Sequence, residues 1–326
     1  MSRARFRPAC RVAAVIATIL AAIPAVADEE ITYLLPAPAT LPAFAPHMIA
    51  LHKGYYAAEG LKVRFVTGQG GADVATQVGA GNAEIGGGIG DTAIIVRPNG
   101  VPVKAAALLG GGALVQIFIR VDSGIKDIRG LKGKTIAVMS YQDTTYYSLL
   151  GTLANFGMTK ADVNAQAVGP GGVVQLVVAG TAPALAGVPE WGVAIEAAGV
   201  PLEWIPTRQF FPGMAQVILA SDATIAKRPQ VVRGVVHATL KALAEIIADP
   251  SAAADTYVAA VPQHADKKEQ MAKVISQYAK LVYAGQSKLG EMNPKQLAEL
   301  QDFYLKEQII RRPTPVAELY TNEFLN

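Results

Sequence analysis

Short apolar segments alternate with amphipathic stretches over the first two thirds of the chain. Residues 31–35 and 61–66 have the branched composition of strands, and residues 45–59 have a helical pattern that is interrupted near Gly54. Another helix is predicted from Ala72. Further strands are predicted at residues 84–87, 103–109 and 135–139. This alternation predicts an α/β architecture with a largely parallel sheet.

The pattern changes after about residue 222, where helices follow one another. They are predicted at residues 229–248, 251–260, 267–283 and 294–308. Pro229 and Pro294 suit the first turn of a helix, where a missing N–H costs nothing. The last third of the chain is therefore expected to form a helical layer.

Two apolar segments, residues 114–120 and 215–220, bracket the central part of the alternating region. We interpret them as hinge strands that cross to a second lobe and return. Lobe 1 then comprises residues 28–113 with 221–326, and lobe 2 comprises residues 114–220. Two α/β lobes imply a cleft between them, and solutes bind such sheets at the carboxyl ends of the strands.

The first residues have the composition of an export signal. Four arginines, Arg3, Arg5, Arg7 and Arg11, precede an apolar run over residues 12–23, and Ala25-Val26-Ala27 offers small residues for cleavage. We predict a signal peptide over residues 1–27, cleavage before Asp28 and a periplasmic protein. The alternative is an N-terminal anchor that stays attached.

Cys10 is the single cysteine and precedes the apolar run. Removal of residues 1–27 would leave no disulfide, no thiolate nucleophile and no sulfur-ligated metal. Loss of the four arginines also changes the balance of 29 basic and 26 acidic residues to 25 and 26. A net charge near −1 gives no indication of nucleic-acid binding.

Three segments carry a resemblance to a known family. Residues 47–63 read HMIALHKGYYAAEGLKV, and residues 127–138 read DIRGLKGKTIAV. Residues 77–87 have the order small-residue helix, glycine, acidic residue (Glu84) and Ile-Gly. The chain resembles the nitrate, sulfonate, taurine and thiamine-pyrimidine-precursor family of ABC substrate-binding proteins. Glu84 stands where the family more often has aspartate, and Pro189-Glu190-Trp191 replaces its Trp-Glu-Pro.

The resemblance implies the type II periplasmic-binding fold, with two α/β lobes joined by two crossover strands. It also implies that the lobes close on a small-molecule solute, which is delivered to the transmembrane subunits of an ABC permease. The expected protein is a monomer that is not an enzyme and holds no cofactor.

Two other functions remain open. Enzymes share this fold, but the thiamine-pyrimidine synthases use a cysteine-rich motif that is absent here, and menaquinone-pathway relatives are cytoplasmic. A periplasmic sensor that binds the same solute for a receptor kinase has no distinguishing sequence feature.

The candidate ligand-binding residues of lobe 1 follow predicted strands: Thr40, Phe44, Gln69, Gly70, Gly71, Asp91 and Thr92. Thr40 offers a hydroxyl, and Phe44 is either an apolar wall or core packing. The glycines let backbone N–H groups approach a solute or simply form a tight turn. Asp91 is a hydrogen-bond acceptor for the ligand or the N-cap of a helix.

The candidates of lobe 2 are Ser140, Tyr141, Thr144, Thr145, Glu190, Trp191, Arg208 and Phe211. Ser140 or Asp143 could bind ligand or cap the following helix. Trp191 could stack on a planar solute while Glu190 accepts its donors, or it could cover core. Arg208 is either a ligand for an anion or a solvated charge.

These residues favour a planar or heteroaromatic solute, because Tyr141, Trp191, Phe44 and Phe211 accompany the carboxylates. A sulfonate-like anion would instead require Arg208 and helix N-termini. The four histidines, His47, His52, His237 and His264, lack metal-ligand spacing, so we predict no metal site.

Overall fold

The computed structural model describes Met1, residues 29–141 and residues 143–326. The predicted signal peptide, apart from Met1, lies outside the described residues, and so does Cys10. Within the described part, no helix combines the length and apolarity needed to cross a membrane.

The strands form two sheets of five. They are β1 (Glu29–Leu35), β2 (Leu61–Thr67), β3 (Ile85–Ile89), β4 (Val103–Leu108), β5 (Gln116–Arg120), β6 (Thr135–Val138), β7 (Asn164–Ala167), β8 (Ala184–Gly187), β9 (Leu202–Pro206) and β10 (Gln216–Ser221). The first sheet has the order β2-β1-β3-β10-β4 and the second β7-β6-β8-β5-β9. The predicted α/β class with two lobes is confirmed.

Each sheet is mixed rather than largely parallel. β1, β2 and β3 are parallel to one another, as are β6, β7 and β8. β10 runs antiparallel to β3 and β4, and β5 runs antiparallel to β8 and β9. The antiparallel strands are those that follow the crossings, because a chain that enters a sheet from the other lobe arrives at the carboxyl ends of its parallel strands.

The helices cover the faces of the sheets, and most of the last third is helical. They are α1 (Ala45–His52), α2 (Tyr55–Ala58), α3 (Gly71–Gly79), α4 (Thr92–Val96), α5 (Thr144–Asn155), α6 (Gly169–Val178), α7 (Pro189–Ala197), α8 (Asp222–Lys227), α9 (Pro229–Ala248), α10 (Pro250–Ala260), α11 (Lys268–Tyr278), α12 (Pro294–Lys306) and α13 (Val316–Leu319). A π-helical turn, Ala279–Tyr283, extends α11. Short 3₁₀ helices lie at Pro42–Phe44, Arg97–Asn99, Val121–Ser123, Ile128–Leu131, Lys160–Asp162, Thr207–Gln209 and Pro262–Lys267.

The break predicted near Gly54 is confirmed, because Gly54 adopts φ +70° between α1 and α2. The long helices α9 to α12 bury their apolar faces in one continuous core with the first sheet. The second lobe has two smaller cores, one on each face of its sheet.

The chain crosses between the sheets twice, in segments that run side by side. The N–H of Leu114 donates to the carbonyl of Met214 at 3.0 Å, and the N–H of Leu109 donates to that of Gln216 at 2.7 Å. Neither β5 nor β10 is shared by both sheets. β10 pairs in the first sheet, so the chain has already returned to that sheet at Gln216, five residues before the boundary expected at 221.

Arg228, at the start of α9, ties the first strand to the helical layer. Its guanidinium donates to Glu29 at 2.6 Å and to Glu84 at 2.9 Å. Glu84 also accepts the backbone N–H of Thr32 at 2.8 Å. The guanidinium side chain is 30 % exposed, so its two ion pairs are partly shielded from water.

We expect Arg228→Gln to lower the free energy of unfolding by about 1–2 kcal/mol, because two carboxylates lose charge-assisted hydrogen bonds. Urea denaturation of both proteins measures the difference. Lys268→Gln is the matched control, since the pair of Lys268 with Asp255 is about 60 % exposed on both sides and should contribute less than about 0.5 kcal/mol. Equal losses in the two variants would contradict the prediction.

Candidate functional site

The two lobes meet where their parallel strands end. β1 and β3 are neighbours in the first sheet, and β6 and β8 are neighbours in the second. Asp91, two residues after β3, accepts a hydrogen bond from Thr144 at the start of α5, the helix that follows β6. Glu190 in α7, the helix that follows β8, accepts one from Tyr278 of α11. Because neighbouring strands lie about 4.8 Å apart, these two contacts line the same cleft.

The first group of cleft residues, the Asp91 cluster, consists of Asp91, Thr144, Tyr147 and Tyr304. Asp91 is 1 % exposed and accepts hydrogen bonds from the hydroxyl of Tyr304 at 2.5 Å and from Oγ1 of Thr144 at 3.1 Å. The rings of Tyr147 and Tyr304 are 5.6 Å apart, edge to face. Burial raises the pKa of the Asp91 carboxyl from 3.8 to about 6, although both hydroxyls favour the ionised form.

Asp91 stands at the N-cap position of α4, but its side chain does not cap that helix. The neighbouring Thr92 makes a local hydrogen bond instead, because its Oγ1 accepts the N–H of Ile89 at 3.0 Å. This leaves the Asp91 carboxylate for the contact across the cleft.

One face of α5 is shaped to meet the first lobe and the crossings. Thr144, Tyr147 and Gly151 follow the i, i+3, i+7 spacing of a single helix face. A Cβ at Gly151 would lie 2.1 Å from the ring of Phe211. Phe211 in turn packs edge to face on Phe303 of α12, with ring centroids 5.0 Å apart.

The second group, the Glu190 cluster, consists of Glu190, Tyr257, Tyr278 and Tyr283. The hydroxyl of Tyr278 in α11 donates to the carboxylate of Glu190, which lies in the first turn of α7. Burial raises the pKa of Glu190, and the Tyr278 hydrogen bond opposes that shift only in part. The same carboxylate raises the pKa of Tyr257 and Tyr283, although less than burial does.

The π-helical turn places Tyr278 and Tyr283 on the same face of the helix. The N–H of Ala284 donates to the carbonyl of Ala279 at 3.1 Å, an i→i+5 bond that widens the helix. Tyr278 and Tyr283 are therefore stacked, with ring centroids 5.4 Å apart and planes at 28°. In a regular α-helix, residues five apart do not share a face.

Two buried glutamines lie at the cleft ends of the antiparallel strands. Gln216 begins β10 opposite Ile89, the last residue of β3, and Gln116 begins β5 opposite Gly187, the last residue of β8. Each amide nitrogen donates to a backbone carbonyl, of Ala43 at 2.7 Å and of Ala113 at 2.8 Å respectively. Both Oε1 atoms are buried and have no hydrogen-bond partner in the described part of the chain.

Of the candidates predicted in the first lobe, Asp91 lies in the cleft. Thr40 contacts the Glu190 cluster through its backbone carbonyl. The carbonyl of Thr40 accepts from the hydroxyl of Tyr257 at 2.5 Å and from Nε2 of His264 at 2.9 Å. Phe44 is 5 % exposed and packs in the core, 5.9 Å from the ring of His47. This is the packing role that the sequence left open.

The glycine-rich segment Gln69, Gly70 and Gly71 uses its backbone N–H groups within its own loop and against the loop that follows β1. The N–H of Gln69 donates to Asp73 at 2.9 Å, and the N–H of Gly70 donates to the carbonyl of Pro36 at 3.1 Å. A Cβ at Gly71 would lie 3.3 Å from Oγ1 of Thr92. The segment therefore has the geometry of a tight turn packed on α4.

In the second lobe, Thr144 and Glu190 reach the cleft. Asp143 caps α5 by accepting the N–H of Thr145 at 2.9 Å, while Oγ1 of Thr145 is buried without a partner among the described residues. Ser140 is half-buried at the end of β6. Tyr141 is 52 % exposed and donates to the carbonyl of Ala165 in the edge strand β7, outside both clusters.

The remaining candidates have packing or surface positions. Trp191 is half-buried, and its ring fills the space over Gly187, where a Cβ would lie 2.4 Å from it. Arg208 is exposed after the edge strand β9. Phe211 is 4 % exposed between the lobes.

Sequence reasoning did not identify Tyr257, Tyr278, Tyr283 and Tyr304, or the two glutamines. Four of the 11 tyrosines of the chain lie on buried faces of the last helices, and a buried hydroxyl needs a partner. The sequence could therefore have predicted that these hydroxyls have hydrogen-bond partners, but not which residues those partners are. Among the described residues, no three histidines or carboxylates are close enough to hold a metal ion.

The family model described as NMT1/THI5 like matches residues 41–253, which is more than half of the 326 residues. The chain belongs to this family. It is 26 % identical over 292 residues to the riboflavin-binding protein RibY of Chloroflexus aurantiacus, with 86 % of this chain and 82 % of RibY covered.

A second relative is an enzyme by name. The 4-amino-5-hydroxymethyl-2-methylpyrimidine phosphate synthase of Aspergillus parasiticus is 27 % identical over 249 residues, which cover 71 % of this chain and 70 % of the synthase. Among solved structures, the periplasmic aliphatic sulphonate binding protein SsuA of Escherichia coli superimposes with a TM-score of 0.71 at 15 % identity, covering 89 % of this chain and 96 % of SsuA. This likeness confirms the two-lobed periplasmic-binding fold.

Proposed function

We propose that this protein is the periplasmic solute-binding component of an ABC importer, and that it closes its lobes on a small organic solute. The observation that carries the proposal is the pair of hydrogen bonds between lobes, Asp91 with Thr144 and Glu190 with Tyr278. Both join the carboxyl end of a parallel strand to the opposite lobe, which is where such sheets bind solutes.

The proposed closure uses the paired crossings as a hinge. They are held to each other by backbone hydrogen bonds, so a change in their φ and ψ angles can rotate the lobes without unfolding either core. A solute that contacts both lobes binds the closed form more tightly than the open form and so shifts the population toward it. A permease can then recognise the closed form.

We further propose a planar or heteroaromatic solute. RibY is named for riboflavin and the fungal relative for an aminopyrimidine, and both are planar heterocycles. The half-buried ring of Tyr147 lies 5.6 Å from that of Tyr304, whose hydroxyl bonds to Asp91, so it offers apolar surface beside that carboxylate. Arg208, which a sulfonate-like ligand would require, is exposed outside both clusters.

The test is a thermal-shift and calorimetric screen of residues 28–326 with riboflavin, 4-amino-5-hydroxymethyl-2-methylpyrimidine, taurine and nitrate. A solute at a hundredfold excess over its Kd stabilises the folded protein by about 2.7 kcal/mol, which is readily measured. We expect one of the heterocycles to bind and to be recovered unchanged. Binding of taurine or nitrate alone would contradict the proposed solute.

We further propose that the exposed part of the half-buried Trp191 ring, next to Glu190 in α7, contacts that heterocycle, and we expect Trp191→Leu to weaken its binding by about 1 kcal/mol or more. Trp204→Phe is the control, because Trp204 lies on the edge strand β9 and bonds to the exposed Glu196 at 2.9 Å. Isothermal titration of both variants measures the effect. Equal Kd values would remove Trp191 from the site.

An enzyme on the same fold is the second candidate, because a synthase is among the relatives. Mass spectrometry of the heterocycle after incubation with the protein distinguishes the two functions. A new product would favour the enzyme, and unchanged solute favours transport.

A further inference from the structure

The ionisable groups nearest the cleft contacts are carboxyls without cationic partners. Asp91, Asp143 and Glu190 accept hydrogen bonds only from hydroxyl and backbone groups in the contacts of the described residues. No lysine or arginine in that part of the chain forms an ion pair with any of the three. His264 lies beside Tyr257 and donates through Nε2 to the carbonyl of Thr40.

The neutral polar groups of the cleft add further acceptors. The Oε1 atoms of Gln116 and Gln216 are buried and unpartnered within the described residues, and Gln216 as a whole is 6 % exposed. A buried acceptor without a donor is costly, and that cost disappears when a ligand supplies an N–H or O–H group. Among the described residues, the groups at these contacts therefore include several acceptors and no lysine or arginine paired with them.

We propose that this site selects uncharged or cationic solutes that carry several hydrogen-bond donors, and that it rejects anions such as phosphate esters and sulfonates. The inference rests on the proposed function and specifies the charge of its solute. An anion that enters the closed cleft would lie beside Asp91 and Glu190 in a region of low dielectric constant, where like charges repel strongly. A donor-rich solute instead satisfies the carboxylates and the glutamine oxygens.

The test compares each neutral heterocycle with its own phosphate ester at pH 8. The probes are riboflavin with riboflavin 5′-phosphate, and 4-amino-5-hydroxymethyl-2-methylpyrimidine with its phosphate. We expect the neutral member of the pair that binds to have a Kd at least about 100-fold lower than that of its ester. Glu190→Gln and Asp91→Asn, which remove charge but keep shape, should each reduce that ratio by about tenfold.

Glu203→Gln is the matched control, because Glu203 is an exposed carboxylate on the edge strand β9. It should leave the ratio unchanged. An ester that binds as tightly as its neutral partner would overturn the inference while leaving the proposed function intact, and so would a ratio that neither cleft variant alters, since that result indicates steric exclusion. Absence of binding by every solute of either charge would overturn the proposed function and this inference with it.

Discussion

Gly112→Ala is expected to lower the free energy of unfolding by about 3 kcal/mol or more and to abolish solute binding. An added Cβ at Gly112 would lie 1.9 Å from the carbonyl oxygen of Leu281, in the π-helical turn. The clash is with backbone, so no side-chain rotation relieves it. To avoid this clash, the π-helical turn would have to move. That movement would displace Tyr283 from Tyr278 and so disrupt the Glu190 cluster.

The neighbouring residues show why the segment cannot move away. The N–H of Gly112 donates to the carbonyl of Val282 at 2.9 Å, and the N–H of Gly111 donates to that of Ala284 at 3.1 Å. Gly110 has φ +128° and also approaches the carbonyl of Val282. A shift that admits one methyl group therefore breaks hydrogen bonds on both sides.

Urea denaturation and solute titration of the Gly112 variant check this prediction. Gly171→Ala is the control, because a Cβ at Gly171 in α6 meets nothing within 4 Å. The control should be neutral or stabilising by up to about 1 kcal/mol, since alanine favours the helix. A Gly112 variant with the stability and the Kd of the parent would show that the contact with the π-helical turn does not constrain the site.

Asp91→Asn is expected to stabilise the solute-free protein by about 2–3 kcal/mol at pH 8 and to have little effect near pH 4. The folded pKa of Asp91, about 6, lies above its ordinary value of 3.8 because the carboxyl is buried. The folded state therefore holds this proton more tightly than the unfolded state. The stability it contributes is present below pH 3.8 and is lost as the pH rises through 6.

Unfolding free energies measured by urea from pH 4 to pH 8 check the sign. The parent should lose stability over that interval more steeply than the variant. The slope will not vanish in the variant, because burial also raises the pKa of Asp143 and Glu190. Asp302→Asn, an exposed change on the same helix as Tyr304, should leave the profile of the parent unaltered. Parallel profiles for the parent and Asp91→Asn would contradict the raised pKa.

The local elements of the first lobe could be predicted because each has its own pattern. Alternating apolar runs gave β1, β2 and β4 within one residue at each end, apart from β1, which begins two residues earlier. The strands β7 and β8 have only four residues each, too few for periodicity to distinguish them from loops. Their existence depends on pairing with β6, which no local pattern reports.

The direction of the crossing strands shows the same limit. An apolar run such as β10 reads alike in either direction, so the sequence could not say that it enters the first sheet antiparallel. Three successive glycines, Gly110 to Gly112, would suit an ordinary turn. Only the folded structure shows that the backbone of the π-helical turn packs directly against them.

The alternation of strands and helices, the family motif, and the positions of Asp91 and Thr144 after strands could be predicted from the amino-acid sequence. These depend on periodicity and on short-range chemistry, which are written in neighbouring residues. Only the folded structure shows which side chains meet, that tyrosines from the last helices complete the cleft, and that Arg208 lies outside both clusters. Such contacts join residues more than 50 positions apart, and they follow from how the helices and the two sheets pack against one another.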